Sequence, residues 1–157
     1  MGNIVRGKKL MCFVKAGDGT YKSIGFSTNH TLSTSASTIS VSHKDLPDAG
    51  SGKWDDQDID TLSWTITSES FYANGAEGVT FADIWGYYAA GTVLDLKFGV
   101  ATDNTTGVPT GGWVAPVSGT VLSGKAIISS VDVNAPVDDN ASFSITFTGK
   151  GALTVAE

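Results

Sequence analysis

The feature that most constrains the fold is "ASFSITFTG" (141–149), where apolar and hydroxyl side chains alternate without a break. Successive side chains of a β-strand point to opposite faces, so a period of two predicts a strand and argues against a helix. The apolar side carries Phe143, Ile145 and Phe147. The opposite side carries only hydroxyls, namely Ser142, Ser144, Thr146 and Thr148. We therefore predict a strand whose first face packs on a core and whose second face is neutral and polar.

The same pattern returns in "TLSWTITSESF" (61–71). Its predicted core side is Leu62, Trp64 and Ile66. Its polar side carries Ser63, Thr65 and Thr67, and Glu69 follows on that side. In "GKAIISSVDVNA" (124–135) we predict that Ile127, Val131 and Val133 face the core, which leaves Ser130 and Asp132 opposite.

The composition suits strands joined by many turns, because the chain has 19 glycines and only 17% charged residues. Further strands are predicted at 8–15, 20–26 and 92–100, and a longer, weaker one is predicted at 29–43. In the long run 29–43 the apolar parity slips, which predicts a β-bulge near Ser37.

One helix is predicted over residues 80–90, between the strands. Thr80 and Asp83 have the spacing of a capping box, and Gly91 is placed to end the helix. We expect its apolar side, Phe81, Ile84, Trp85 and Tyr88, to pack on a sheet. The predicted class is mainly β: a single domain over 1–157, built as an antiparallel β-sandwich or half-open barrel with one flanking α-helix.

Two long loops are predicted, at 44–60 and 101–120, and each contains one tryptophan, Trp54 or Trp113. A large aromatic side chain is unfavourable when fully exposed in a loop, so each indole is expected to contact a partner. Two partners remain open from the residues alone: a sugar on which the ring stacks, or another protein chain.

Charge and motifs exclude several functions. The net charge is −6, with 10 basic against 16 acidic residues, which argues against tight binding of nucleic acid. His30 and His43, the only histidines, lie in no catalytic motif, and Cys12 is predicted to be a buried apolar residue. The acids Asp56, Asp58 and Asp60 lack the glycine and glutamate that a calcium loop requires. No catalytic residue, metal or cofactor is predicted.

The beginning of the chain has no charged-then-apolar signal, and no apolar run approaches the roughly 20 residues of a membrane span. We therefore expect synthesis in the cytoplasm.

Several segments in order resemble the major tail tube proteins of long-tailed bacteriophages. They are "GKKLMCFV", "SIGFSTNHTLS", "GKW" followed by "TLSWTITSESFY", "TFADIWGYY", and "GKAIISSVDVNAP" followed by "NASFSITFTGKGAL". The resemblance covers nearly the whole chain, and the closing segment is its most specific part.

The resemblance implies a non-catalytic structural subunit of the virion tail, made in the bacterial host. Such subunits form six-fold rings that stack into a hollow tube, and DNA passes through the lumen to the host without specific binding. Other tail proteins would contact the tube ends. The fold is shared with the inner tube of contractile secretion machines.

Under this resemblance the polar sides of the strands line the lumen. The lumen-facing candidates are Ser63, Thr65, Thr67, Glu69, Ser130, Asp132, Ser142, Ser144, Thr146 and Thr148. The candidates for contacts between subunits are Trp54, Asp55, Asp56, Asp58 and Trp113. Two alternatives remain: the polar faces are an ordinary solvated sheet surface, or the chain is a carbohydrate-binding or adhesion β-sandwich.

Overall fold

The computed structural model describes residues 4, 7–15, 19, 21–41, 56–72, 79–101 and 121–156. A short 3-10 helix at Gly7–Lys9 precedes the regular elements. These are β1 (Leu10–Lys15), β2 (Tyr21–Ser23), β3 (Ser27–Val41), β4 (Asp56–Phe71), α1 (Phe81–Ala90), β5 (Leu94–Val100), β6 (Val121–Asn134) and β7 (Ser142–Ala156).

The strands form one antiparallel seven-stranded sheet in the order β2-β1-β5-β6-β7-β4-β3. The sheet is not closed, because β2 and β3 stand at its two ends. It is curled, however, since β1 comes close to β3 although β5, β6, β7 and β4 lie between them in the order of the sheet. The mainly β prediction with one flanking helix is confirmed.

The concave side of the curled sheet holds one apolar core. The core joins side chains from strands far apart in the sheet, including Cys12 and Val14 of β1 and Trp64 and Ile66 of β4. Phe143, Ile145 and Phe147 of β7 are buried in it, as their alternation predicts. Residues 68 and 70 of β4 also face inward, and both are buried serines.

Helix α1 lies against this core through a narrower side than we predicted. Ile84 is buried, and Phe81 and Tyr87 pack beside it. Trp85 and Tyr88, which were predicted to face the sheet, are 51% and 39% exposed. The ten-residue helix touches the sheet along one stripe, and these two rings extend from Phe81 along the helix surface instead.

The ends of α1 follow the sequence signals. The Asp83 carboxylate accepts hydrogen bonds from the backbone N–H and the hydroxyl of Thr80, both at 3.1 Å. Gly91 adopts a left-handed φ of 64°, which glycine accommodates without a Cβ penalty, and ends the helix.

Three predictions about the core are wrong. Val133 lies on the core side of β6, opposite Phe143, but is 52% exposed. Leu62 is 75% exposed; β4 pairs with β7 only from Thr65 onward, and no described residue packs over Leu62. Ile127 is 38% exposed and lies opposite Thr148 on the polar side. A register shift between Ile128 and Ser130 changes the parity of β6, so the inward-facing residues are Ala126 and Ile128 before it and Val131 after it.

The predicted bulge in the 29–43 run is confirmed, because the β3–β4 register shifts between Ser37 and Thr38. The predicted loop 44–60 is shorter at its end than expected, since residues 56–60 belong to β4 and Asp56 and Asp58 pair with Val41 and Ile39. Trp54, Asp55 and His43 lie outside the described residues. So do Trp113 and nearly all of the 101–120 loop.

Candidate functional site

The polar sides of four neighbouring strands combine into one continuous surface, which we call the hydroxyl face. Its centre is the row of hydroxyls on β7. Thr65, Thr67 and Glu69 of β4 lie directly opposite Thr148, Thr146 and Ser144. On the other flank, β6 places Ile127, Ser130, Asp132 and Asn134 opposite Thr148, Thr146, Ser144 and Ser142.

Strand β3 extends the hydroxyl face by one more strand. Its residues Ser33, Thr31 and Asn29 lie opposite Thr65, Thr67 and Glu69 of β4. Sequence reasoning missed these three residues, although their alternation with His30 and Leu32 was a visible signal. The face therefore comprises the outward-facing residues within the segments 27–33, 65–71, 127–134 and 142–148.

The electrostatics of the hydroxyl face are simple. Its four segments contain no lysine or arginine, and its two carboxylates, Glu69 and Asp132, flank Ser144 in one cross-strand row. Both carboxylates are exposed. Within these segments the surface offers hydroxyls that bind water and a weak negative charge. The next pair on the same side of β6 and β7 is Lys125 opposite Lys150, both exposed, so the cations lie at one end of the face and not along it.

Most of the lumen candidates lie together on this face. They are Thr65, Thr67, Glu69, Ser130, Asp132, Ser142, Ser144, Thr146 and Thr148. Ser63 lies apart from them, beyond the end of the β4–β7 pairing, where its hydroxyl bonds the Ser35 hydroxyl at 2.7 Å. The bulge in β6 places Ser130 and Asp132 on the face, so their predicted side is right although Ile127 joins them there.

Both flanks of the hydroxyl face end in an unpaired strand edge. Strand β3 is the last strand of the sheet, so its outer edge has no partner among the described residues. Strand β5 pairs with β6 only at Leu122–Ala126, so within the described part of the chain residues 127–134 of β6 are paired on the β7 side alone. Unpaired edges present rows of backbone N–H and C=O groups that bond another strand readily.

The β4–β7 pairing ends at a tryptophan held between glycines. Past the last pair, Thr65 with Thr148, the Trp64 indole lies on Gly149 and Gly124, and its Nε1 donates a hydrogen bond to the Gly151 carbonyl at 3.0 Å. A Cβ on Gly149 would overlap the indole ring, and one on Gly124 would lie 2.8 Å from its Cζ2. The bulky ring over bare backbone parts the two strands, so the β3–β4 ribbon diverges from β6 and β7.

Two titratable side chains on the core side, the largely buried His30 and the buried Cys12, contribute to packing. The Nδ1 of His30 and the hydroxyl of Ser68 are 2.8 Å apart, and the buried Nε2 of His30 has no partner in the described structure. Burial lowers the pKa of His30 to about 4 and raises the pKa of Cys12 to about 12. Both side chains are therefore uncharged at neutral pH.

Neither a metal cluster nor a membrane-spanning helix occurs in the described part of the chain. Within those ranges, no three residues among His, Cys, Asp and Glu come together in a way that could hold a metal ion. Among the described helical residues, no helix has both the length and the apolar character needed to cross a membrane.

Solved structures with the same fold are tail tubes and their relatives. The chain is similar to a subunit in the tail of an empty gene transfer agent particle, refined with helical and C6 symmetry (18% identity, TM-score 0.70). It is similar to a chain of the native gene transfer agent virion (17% identity, TM-score 0.69). Both matches cover 98% of this chain and 100% of the other. The SPP1 tail tube matches at 13% identity and a TM-score of 0.67, covering 98% of this chain and 80% of that one.

The fold is thus that of a tail tube subunit. The family model described as phage tail tube protein matches residues 4–155, so the chain belongs to the phage tail tube protein family. The resemblance stated from the sequence is confirmed, and the chain is a structural protein of the virion tail. No curated protein matches the chain.

Proposed function

We propose that six copies of this chain close into a ring whose inner wall is the hydroxyl face, and that such rings stack into a tube through which DNA passes. The observation that carries the proposal is that one face combines a continuous hydroxyl surface with an unpaired edge on each flank. The C6 symmetry of the similar gene transfer agent tail supports the number six.

The two edges have the right directions to pair with each other. Neighbouring strands of the face are antiparallel, so β3 and β6, separated by two strands, run in opposite directions. Residues 27–33 of one copy and 127–134 of the next therefore meet as an antiparallel pair, which continues the pattern of the sheet. Repeating this contact around a closed ring leaves no strand edge in the wall.

The size of the ring suits a bore. Four strands from each of six copies, spaced about 4.8 Å apart, give a circumference of about 115 Å and a diameter of about 37 Å between backbones. Strand tilt widens this value further. The short side chains of serine and threonine leave most of that width open.

The chemistry of the face fits a passage for DNA better than a binding site. A wall of lysine and arginine would bind phosphates and release their counterions, which retains DNA. The hydroxyl face instead presents hydrated neutral groups, with Glu69 and Asp132 repelling phosphate. The proposed role is structural and includes no catalytic step; the largely buried, uncharged His30 supports it.

Engineered disulfides test the proposed edge pairing. Thr31→Cys is combined in turn with Ile127→Cys, Ser130→Cys or Asp132→Cys, all on the hydroxyl face near the two free edges. A disulfide requires Cα atoms within about 4.4–6.8 Å. We expect one combination to give, on oxidation of assembled protein, a ladder on a denaturing gel that ends at six subunits.

The matched control is Thr31→Cys with Ser144→Cys, because β7 lies inside the face and is hydrogen-bonded to a neighbouring strand on each side. It should give no ladder. Electron microscopy of the unmodified protein supplies the independent readout of rings and tubes. A protein that stays monomeric at high concentration, or tubes in which no edge combination cross-links, would contradict the proposal.

A further inference from the structure

The parting of β4 and β7 leaves a notch at one end of the sheet. Among the described residues, 56–64 of β4 pair with β3 and not with β7, and residues 150 and 154–156 of β7 pair with β6 and not with β4. The space between the two edges is a notch of about 490 Å³. Its walls are mostly apolar or small, and they include Ala36, Leu62, Ala152 and Leu153. Leu62 in particular is largely exposed, which is costly for a leucine in an isolated subunit.

Two lysines lie opposite each other in a surface depression beside this notch. Lys125 of β6 lies directly opposite Lys150 of β7, and both are exposed. Like charges at directly opposite positions destabilise a strand pair. Asp95 of β5 lies directly opposite Lys125 on its other side, but the Asp95 carboxylate is 3.9 Å from the Lys15 Nζ, and among the described residues neither Lys125 nor Lys150 has an ion pair. Ala152 lines both the notch and the surface depression that contains the lysines, so the two features adjoin.

A turn of opposite charge lies at the other end of the same two strands. Residues 135–141 join β6 to β7, and within them Val137 is 100% exposed. It is followed by the exposed carboxylates of Asp138 and Asp139. The Asp139 side chain accepts a hydrogen bond from the Asn140 N–H at 2.7 Å, which helps hold the turn. The turn thus presents one apolar side chain next to two acids.

We propose that the 135–140 turn of one copy docks in the notch of a copy in the adjoining ring. Val137 contacts the apolar walls around Leu62, and Asp138 and Asp139 pair with Lys125 and Lys150. The inference rests on the proposed stacking of rings and names the contact that holds them. It relieves both the exposed apolar surface and the lysine–lysine repulsion.

The turn that fills the notch belongs to another copy. Eight residues of β7 separate Ser142, beside the turn, from Lys150, which is about 26 Å of strand at about 3.3 Å per residue. Rings that all face the same way bring the turn end of one ring to the notch end of the next. DNA is a poorer occupant, because Asp58 and Asp60 are exposed on the β4 ribbon that forms one wall.

A charge exchange between two proteins tests the contact. Lys150→Glu places an acid against the acidic turn, and Asp138→Lys places a cation against the lysines. Like charges brought together across an interface cost several kcal/mol, so each variant alone should raise the critical concentration for tube formation by at least about tenfold. Rings should persist in both variants, since the hydroxyl-face edges are unchanged.

Mixing the two variants gives the decisive result. The carboxylate introduced by Lys150→Glu in one protein then meets the ammonium introduced by Asp138→Lys in the other. The contacts at the opposite faces of these rings are native, so preformed rings of the two kinds should co-assemble into tubes of alternating rings. Circular dichroism confirms folding, and Val137→Ser should weaken stacking without changing any charge.

Other outcomes overturn the inference without touching the proposed function. One is that both single variants form tubes as readily as the parent protein. Another is that Lys150→Glu is rescued by Asp58→Lys but not by Asp138→Lys, which would make the β3–β4 ribbon the occupant. A third is that the mixture fails to assemble while the parent protein forms tubes. If the parent protein itself forms no tubes, the proposed function fails instead.

Discussion

At the scale of single residues, the contact of Trp64 with bare glycine backbone determines where β4 leaves β7. Gly149→Ala places a methyl group inside the space of the indole, and the ring cannot move without losing its hydrogen bond to Gly151. Overpacking of this kind costs about 1–3 kcal/mol of unfolding free energy. Chemical denaturation should show a loss in that range.

Gly86→Ala is the matched control for this prediction. Gly86 lies inside α1, and an added Cβ there meets nothing within 4 Å. Alanine is a better helix former than glycine, so this substitution should stabilise the protein by about 0.5–1 kcal/mol. If both substitutions destabilise the protein equally, the indole contact is not the cause.

His30 makes the stability of the subunit depend on pH. Its folded pKa of about 4 lies below the 6.5 of an unperturbed histidine, so the unfolded chain binds more protons between these values. The contribution of the neutral His30 to the free energy of unfolding is therefore fully present above pH 6.5. It is lost as the pH falls toward 4, by at most about 1.4 kcal/mol per pH unit. On β4, the residue opposite His30 is the uncharged Ser68.

Thermal unfolding of the parent protein and of His30→Gln at about pH 7 and about pH 4.5, on either side of the unperturbed histidine pKa, measures this dependence. The carboxylates titrate in both proteins, so the difference between the two isolates the histidine. We expect the variant to lose less stability than the parent on acidification. An identical loss would show that His30 titrates normally in the folded state.

At the scale of elements, the bulge in β6 allows Ala126 and Ile128 before it and Val131 after it to contact the same core. Deleting Ser129 would leave Ala126, Ile128, Val131 and Val133 in strict alternation, so the same side chains would face the core. What disappears is the local bend, together with the hydrogen bond from Ser129 Oγ to the Thr146 carbonyl at 3.1 Å.

The deletion should therefore change assembly more than folding. We expect a cooperative thermal transition close to that of the parent protein, within about 1–2 kcal/mol, but loss of rings in electron micrographs, because the straightened 127–134 edge no longer matches β3 of the next copy. Normal rings from the deletion variant would show that the bend is dispensable for closure.

The same elements show what can be read from the sequence and what cannot. Alternation within one strand predicted the sides of β7 and of most of β4, and a slip in parity predicted the bulge at Ser37. These signals are local, because side-chain direction follows from the backbone of a single strand. The bulge in β6 was not predicted, because "AIISSV" has apolar residues in both parities and only the pairing with β7 decides which of them face the core.

Burial was less predictable because it depends on what lies over a strand. Leu62 and Trp64 have the same parity and both lie beyond the last β4–β7 pair at Thr65, yet only Trp64 is buried, because its indole lies on the backbone of Gly149 and Gly124. In α1 the spacing of apolar residues allowed two overlapping stripes, and contact with the sheet selected the one through Ile84 and Tyr87. Both outcomes follow from tertiary contacts that no single element encodes.

At the scale of the whole molecule, the hydroxyl face is expected to bind DNA only weakly unless a cation is introduced at its centre. Thr146 lies at its centre, between Thr67 and Ser130. Tubes of Thr146→Lys would carry six added cations per ring in the proposed assembly. We expect them to bind short duplex DNA with an affinity that falls steeply with salt, whereas parent tubes bind weakly at all salt concentrations.

Fluorescence anisotropy of labelled DNA with purified tubes measures this binding. Ala82→Lys serves as the control, because residue 82 is exposed on α1 and away from the hydroxyl face. Equal binding by the two variants would mean that the face does not line the bore. Strong binding by the parent tubes would contradict the view that hydroxyls and two carboxylates leave DNA free to pass.

The two unpaired edges also set a rule of stoichiometry. In the proposed ring, an incomplete arc of subunits keeps one unpaired strand at each end and can add further subunits, whereas the sixth subunit pairs both ends at once. Lateral growth thus terminates itself, and lengthening can proceed only along the axis.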